Sequence, residues 1–138
     1  VVDAAPSAVI DGFELQTQFD GDLEAVAGFV AAPPFGSKVV VGTGGTLVEL
    51  TADRALGLAP LDLDEARDMI ASTVLGTRLS GYRNLMPETY CRPLAELLVN
   101  LSRLALDFGD LVTECDLNPV LVRAGTGDAM VVDVLMVR

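Results

Sequence analysis

Histidine and tryptophan are absent from this sequence of 138 residues, and Lys38 is its only lysine. Without histidine, the chain itself cannot supply His-based acid–base catalysis or a His metal ligand. The two cysteines, Cys91 and Cys115, lie far apart and do not show the spacing of a metal site. They predict two buried thiols in a cytoplasmic protein.

Long uninterrupted hydrophobic runs are also missing. The most apolar stretch, residues 94–108, contains Glu96, Asn100, Arg103 and Asp107, which are too many polar side chains for a membrane span. The sequence shows no signal-peptide pattern. Its formal net charge of −11 repels anionic membranes and the phosphate backbone of nucleic acids. We therefore expect neither a membrane nor a nucleic acid among the partners.

What the chain does have is enough apolar sequence for one domain with a core. Hydrophobic residues make up 51% and aromatic residues only 5%, so valine, leucine and alanine must build that core. The chain starts with Val1, Val2 and Asp3, and we expect it to be one segment of a longer polypeptide. We assign residues 1–9 to a tether or partial strand and residues 10–138 to the domain.

Hydrophobic periodicity predicts an α+β fold. Strands of a β-meander are expected at residues 13–18, 23–31, 38–41 and 46–50. Acidic residues at Asp62, Asp64 and Glu65 mark the start of a first helix. After a loop over residues 76–87, a second helix with a leucine stripe is expected over residues 88–107. With a closing hairpin, the fold class is a mostly antiparallel sheet with helices packed on it.

The closing hairpin carries the most informative pattern. A two-residue type II′ turn at Gly125 and Thr126 would pair residue 118 with residue 133. Because side chains alternate along a strand, Glu114, Asp116 and Asn118 share one face. Asp133 would join Asn118 from across the ladder, since directly opposed residues point to the same face. A register slip of one residue would turn Asp133 to the other face.

Two interpretations of this acidic face stand side by side. Carboxylate and amide oxygens are ligands that Mg²⁺ accepts, with waters and phosphates completing its shell. Acidic residues on a strand of an acidic protein are, however, usually a solvated surface. The strongly apolar flanks of the hairpin add weight to the metal site, because ionised groups in a buried strand need partners or a cation.

A glycine-rich stretch, residues 42–45, is not a phosphate-binding P-loop. No Gly-Lys-Ser/Thr follows, and a strand is predicted where a helix N-terminus would be needed. The stretch is either a tight strand connection or a place where the backbone at Gly44 and Gly45 approaches a ligand closely. Arg54 could contact an anion, but one arginine is weak evidence.

Eight short stretches form an ordered set of motifs. They are IDGFELQ (10–16), LEAVAG (23–28), PFG (34–36), GTGGTLVEL (42–50), LAPL (58–61), GYR (81–83), ECDLNPV (114–120) and VVD (131–133). Their order and spacing resemble the C-terminal part of the ATP-grasp domain in NDP-forming acyl-CoA synthetases, such as ADP-forming acetyl-CoA synthetase. Succinyl-CoA synthetase β-subunits are more distant relatives. The resemblance spans residue 9 to the end.

The resemblance implies a function and a set of site residues. The reaction would exchange acyl-CoA, ADP and phosphate with carboxylate, CoA and ATP through a phosphohistidine. Asn118 and Asp133 would hold Mg²⁺, and Asp116 would lie near the phosphohistidine as a catalytic residue. The adenine of ATP or ADP would bind beside the hinge, whose residues are Leu15, Gln16 and Thr17, with Gly44 and Gly45 also on the nucleotide.

The same resemblance implies partners and shows two departures. The remaining half of the ATP-grasp domain and a CoA-binding domain or subunit with the phosphohistidine must come from outside this chain. The arginine expected before the LAPL motif is Gly57, and the acidic residue expected before Pro33 is Ala32. Two alternatives therefore stay open, a non-catalytic regulatory or interaction module of a larger protein and an unrelated acidic α+β domain. Assembly into a homo-oligomer is also left open.

Overall fold

A computed structural model describes residues 9, 11–45, 53–84 and 91–138. Six strands are present in these ranges, namely β1 (Leu23–Ala31), β2 (Ser37–Thr43), β3 (Arg54–Leu58), β4 (Glu114–Val122), β5 (Ala129–Val131) and β6 (Val134–Val137). The helices are α1 (Leu63–Ala71), α2 (Val74–Leu79) and α3 (Arg92–Phe108), with a short 3₁₀ turn at Tyr82–Asn84.

All strand pairs are antiparallel and belong to one sheet. The strand order is β3-β2-β1-β4-β5, and β6 continues beside β4 where β5 ends. Helix α3 packs on β1 and β2, and α1 packs on β3 and on α3. The α+β class with a mostly antiparallel sheet is confirmed.

The core lies between the helices and one face of the sheet. The leucine stripe of α3 contributes Leu94, Leu98 and Leu101, which are almost completely buried, whereas Leu97 and Leu104 are partly buried against them. Alternate residues of the central strands meet this stripe, namely Ala25, Ala27, Phe29, Val39, Val41, Cys115 and Leu117. The opposite face of the sheet is thus left to the residues between them.

The helix starts follow from local chemistry. Asp62 caps α1 by accepting hydrogen bonds from the N–H groups of Asp64 and Glu65, and the Glu65 side chain accepts from the Asp62 N–H in return. This reciprocal capping box satisfies N–H groups that would otherwise have no partner. Helix α3 begins at Arg92 with Pro93 in its first turn. The predicted start at residue 88 lies outside the described residues.

Two local predictions were wrong, and one strand was not predicted. Residues 13–18 are exposed and pair with no strand of the described sheet. The loop predicted over residues 76–87 contains most of α2, because Thr73 caps that helix and Gly76 lets it approach α1, where a Cβ would lie 2.1 Å from the Ile70 carbonyl oxygen. Strand β3 was not predicted, since Gly57 weakens the strand pattern. The predicted strand at residues 46–50 lies outside the described residues.

None of the helices in the described ranges combines the length and the apolar character that a bilayer crossing requires.

Candidate functional site

The face of the sheet away from the helices carries a groove of about 500 Å³. One row of paired residues crosses it from strand to strand, running from Leu56 through Val40 and Gly28 to Asp116. Polar side chains line both ends of the groove, with Arg54 on β3 and Glu114, Asp116 and Asn118 on β4. Apolar residues form the floor between them. The positively charged side chain of Arg54 therefore lies at one end of the groove, and the polar side chains of β4 lie at the other.

A bulge in β4 produces this arrangement. Leu117 pairs with Ala27 and Val120 pairs with Ala25, so two residues, Asn118 and Pro119, lie opposite one residue of β1. Proline has no N–H to donate to the ladder, and bulges re-aim the side chains beside them. Glu114, Asp116 and Asn118 consequently share the groove, whereas Val120 and Val122 turn into the core.

The predicted register of the hairpin is confirmed. Val120 pairs with Val131 and Leu117 pairs with Val134, which places Asn118 opposite Asp133. The Asn118 N–H donates to the Asp133 carbonyl oxygen at 3.3 Å.

The turn itself is longer than predicted. The Gly127 N–H donates to the Arg123 carbonyl at 2.9 Å, and the Arg123 N–H donates to the Asp128 carbonyl at 2.9 Å. The loop therefore spans residues 124–127 instead of two residues. Its centre is unchanged, and the register depends only on that centre.

Asp133 differs from the other predicted ligands in its surroundings. Its carboxylate accepts a hydrogen bond from the Val134 N–H at 2.9 Å, and it is exposed beside the groove rather than part of the groove lining. Asp116 and Asn118 are in the lining itself. The joint assignment of Asn118 and Asp133 to a metal stays a prediction.

The side-chain oxygens of Asp116 and Asn118 suit Mg²⁺ better than a metal ion whose ligands all come from the protein. In the described ranges, no three acidic, histidine or cysteine side chains come together as a metal cluster. Mg²⁺ commonly takes one or two protein oxygens and completes its octahedron with waters and substrate phosphates. An exposed Asn118 and a half-buried Asp116 at the edge of an open groove fit that role.

Cys115 lies between the two acids of β4 but is not a nucleophile. Its side chain belongs to the core, and burial raises the pKa of the thiol, with a further rise from the charge of Asp116. A thiol with a raised pKa stays protonated at neutral pH. The Cys115 thiol is therefore part of the core and not of the groove chemistry.

The glycine-rich connection after β2 packs on β1. The Gly44 N–H donates to the Glu24 carbonyl oxygen at 2.7 Å, and a Cβ on Gly44 would lie 2.9 Å from the Glu24 carbonyl carbon. Gly45 has a φ of +93°, which favours glycine. The close packing of Gly44 on β1 and the positive φ of Gly45 account for both glycines. A contact of Gly44 and Gly45 with a nucleotide stays a prediction.

The predicted hinge residues lie elsewhere on the surface. Leu15 is fully exposed, and Gln16 and Thr17 line a second groove of about 430 Å³ beside the β4–β5 hairpin. Two contacts hold this segment there: the Arg123 guanidinium lies 4.6 Å from the centre of the Phe19 ring, and the Ala124 N–H donates to Asp22 at 2.7 Å. The structure therefore does not bring Leu15, Gln16 and Thr17 into the acidic groove.

Gly57, one of the two departures from the expected motifs, points away from the groove. A Cβ on Gly57 would meet the Met69 sulfur at 2.6 Å and Leu61 Cδ2 at 2.9 Å, both on the helix side of the sheet. An arginine at this position would also lie on the helix side. Its absence therefore leaves the groove unchanged.

Asp53 fixes the start of β3, from which Arg54 projects. Its carboxylate accepts hydrogen bonds from the Thr43 hydroxyl, and from the N–H groups of Thr43 at 3.3 Å, Val74 at 2.8 Å and Leu75 at 3.3 Å. Burial alone would raise the pKa of Asp53, but these hydrogen bonds outweigh it and lower the pKa below the ordinary value of 3.8. One side chain thus joins β2, β3 and α2.

Asp53→Asn should lower the free energy of unfolding at pH 7 by about 1–2 kcal/mol, because an amide offers one acceptor oxygen to this set of donors. A carboxyl group with a lowered pKa in the folded state stabilises the fold above its unfolded pKa and loses that effect as the pH falls through its folded value. Urea titrations from pH 7 to pH 2.5 should show the difference from the unsubstituted protein closing below pH 3.8. Asp68→Asn, at an exposed position of α1, is the matched control and should leave the free energy of unfolding at pH 7 nearly unchanged.

Comparison with known proteins identifies relatives of this chain. Residues 1–137 match a family described as "ATP-grasp domain". The chain is 36% identical over 117 residues to acetate–CoA ligase [ADP-forming] I of Archaeoglobus fulgidus, covering 85% of this chain and 17% of that protein. It is 33% identical over 129 residues to acetate–CoA ligase [ADP-forming] II subunit beta of Pyrococcus furiosus, covering 93% of this chain and 54% of that subunit.

A solved structure has a similar fold. It is the dinucleotide forming acetyl-coenzyme A synthetase 1 of Ca. Korarchaeum cryptofilum in complex with coenzyme A and Mg-AMPPCP, with its phosphohistidine segment pointing towards the nucleotide binding site. The TM-score is 0.76 at 30% sequence identity, and the match covers 87% of this chain and 54% of that one. The chain thus spans between about a sixth and about half of these relatives.

Proposed function

This chain belongs to the ATP-grasp domain family, and we propose that it supplies the Mg²⁺–nucleotide face of an NDP-forming acyl-CoA synthetase. The reaction exchanges acyl-CoA, ADP and phosphate with carboxylate, CoA and ATP. One observation carries the proposal: Asp116 and Asn118 line the same groove on the open face of the sheet. The groove on that face has a volume of about 500 Å³, which is large enough for a small-molecule ligand.

Each groove residue has a role in the proposed site. Asn118, with Asp133 opposite it in the ladder, would hold Mg²⁺ by its amide oxygen. The ion supplies neutralisation of phosphate charge when it is bound. Asp116, two residues before Asn118 on the same face of β4, would accept a hydrogen bond from the incoming histidine and orient it.

The histidine itself must come from a partner. This chain has none, and a phosphohistidine intermediate needs one. The Pyrococcus relative is a beta subunit, and the Korarchaeum relative has a phosphohistidine segment that points towards its nucleotide site. We accordingly propose two partners, the remaining half of the ATP-grasp domain and a CoA-binding domain or subunit that brings the histidine and acyl-CoA.

The adenine side of the nucleotide is assigned to the remaining predicted residues. Leu15, Gln16 and Thr17 would serve as the hinge between the two halves of the ATP-grasp domain, and their exposure leaves them available to the missing half. Gly44 and Gly45 would approach the nucleotide with their backbone. Both cysteines are free thiols, which agrees with the cytoplasmic location that we propose.

Titration calorimetry with MgATP tests the division of the site. The chain alone should bind only weakly, with a Kd on the order of millimolar, because its net charge of −11 opposes a triphosphate and half of the cleft is supplied by the partner half. Joined to the remaining half of an ATP-grasp domain, the same chain should bind MgATP at least tenfold more tightly. A micromolar Kd for the chain alone would show that this half carries the affinity, which contradicts the proposed division.

A further inference from the structure

Arg54 stands at the end of the groove opposite the acidic strand. It pairs with Gly42 on β2, which pairs with Val26 on β1, and Val26 lies opposite the bulge at Asn118. Neighbouring strands are about 4.8 Å apart, so roughly 14 Å of sheet separates the backbones of Arg54 and Asn118. Both side chains line the same groove, which is about 500 Å³ in volume. The long arginine side chain therefore faces Asn118 across it.

Gly42 keeps the path of this side chain clear. A Cβ on Gly42 would lie 3.3 Å from Arg54 Cγ and 2.1 Å from the Asp53 carbonyl oxygen. The arginine stem therefore lies against the bare backbone of β2. A side chain at position 42 would displace both the stem and the strand that carries it.

The backbone at the start of the arginine side chain is fixed, whereas its guanidinium makes no ion pair with the described residues. Asp53, the preceding residue, is held by hydrogen bonds to Thr43, Val74 and Leu75. The ion pairs found in the described part of the chain use Arg67, Arg92 and Arg123, and none uses Arg54. An exposed guanidinium with no ion-pair partner among the described residues can attract an anion.

We propose that Arg54 binds a phosphoryl group of the ligand in this groove and holds it opposite Asn118. The inference rests on the proposed function, because it takes the ligand to be a polyphosphate whose Mg²⁺ lies on the β4 side. A guanidinium can donate two parallel hydrogen bonds to phosphate oxygens, which fixes orientation as well as charge. The apolar floor between the two ends carries no charge of its own, so Arg54 and Mg²⁺ would neutralise the charge of the ligand.

Arg54 is a separate residue from the arginine expected before the LAPL motif. Side chains alternate along β3, so Arg54, Leu56 and Leu58 point to the open face and are exposed. Gly57 points to the helices. Arg54 therefore adds a cation to the groove that the arginine expected at position 57 would not supply.

The test is a titration of the ¹⁵N-labelled chain with inorganic tripolyphosphate in the presence of excess Mg²⁺, monitored by amide chemical shifts. We expect shifts at Gly28, Val40 and Gly42 and a millimolar Kd. Arg54→Gln should weaken binding about tenfold, and Arg54→Lys should weaken it less, because lysine keeps the charge but loses the paired donors. Arg103→Gln, which removes the same charge from the exposed side of α3, is the matched control and should leave the Kd unchanged.

Three results would overturn the assignment: no titration in the unsubstituted chain, shifts away from the groove, or an Arg54→Gln variant that binds as tightly as the unsubstituted chain. A parallel titration with Mn²⁺ separates this inference from the proposed function. Broadening at Asp116 and Asn118 with no effect of Arg54→Gln would remove Arg54 and keep the metal face. An effect of Arg54→Gln without that broadening would keep the anion site and remove the metal face.

Discussion

In the complete enzyme that we propose, Asp133→Asn should lower the rate of phosphoryl transfer by about 100-fold or more, because Mg²⁺ loses a charged ligand and the nucleotide phosphates are less well neutralised. The fold should not change. The substitution is isosteric, Asp133 is exposed, and the hydrogen bond that it accepts from the Val134 N–H can be accepted equally well by an amide oxygen. Single-turnover measurement of histidine phosphorylation by ATP is the appropriate assay.

Two comparisons make that result specific. Asp107→Asn removes one charge from an exposed position of α3 and should turn over normally. Raising the Mg²⁺ concentration should restore part of the activity of Asp133→Asn, since a weakened site fills at higher metal concentration. Normal turnover of Asp133→Asn would instead indicate a vestigial site, and the non-catalytic module would become the better interpretation.

The hairpin at the end of the chain shows how far sequence reasoning reaches. The register of the hairpin depends only on where its turn is centred, and the face of each side chain depends only on the alternation along a strand. Both can be identified from the local sequence. Asn118 was therefore placed opposite Asp133 correctly although the turn has four residues instead of two. The bulge at Pro119 was not anticipated. Proline within a strand was the available signal, because it cannot donate to a ladder.

The other wall of the groove could not be predicted in this way. Arg54 and the acids of β4 line the same groove only because β3 and β4 belong to one sheet, with β1 and β2 between them. Strand order is decided by packing of the whole domain and by connections that are distant in sequence. Strand β3 itself has the pattern Arg-Ala-Leu-Gly-Leu, in which a glycine occupies a core-facing position. Its partner β2 and the side chains of Leu61 and Met69 determine that it forms.

Gly28 lies in the groove lining and pairs with Asp116, and Gly28→Ala should be severely destabilising. A Cβ at this position would lie 2.3 Å from the Cys115 carbonyl oxygen and 3.4 Å from the Asp116 Cα. Both belong to the neighbouring strand, so no flexible side chain can move aside to relieve the overlap. Forcing two central strands apart should cost about 3 kcal/mol, the upper end of the usual range for overpacking. Chemical denaturation of the purified variant measures this loss.

The same overlap predicts a change in the groove beyond lost stability. Gly28 pairs directly with Asp116, so a displaced β4 carries Asp116 and Asn118 away from Arg54. Gly12→Ala is the matched control, because a Cβ at position 12 meets nothing within 4 Å, and it should leave stability the same or slightly higher. If Gly28→Ala were as stable as Gly12→Ala, β1 and β4 could not be packed as closely as the structure shows, and the groove between Arg54 and Asn118 would have a different width.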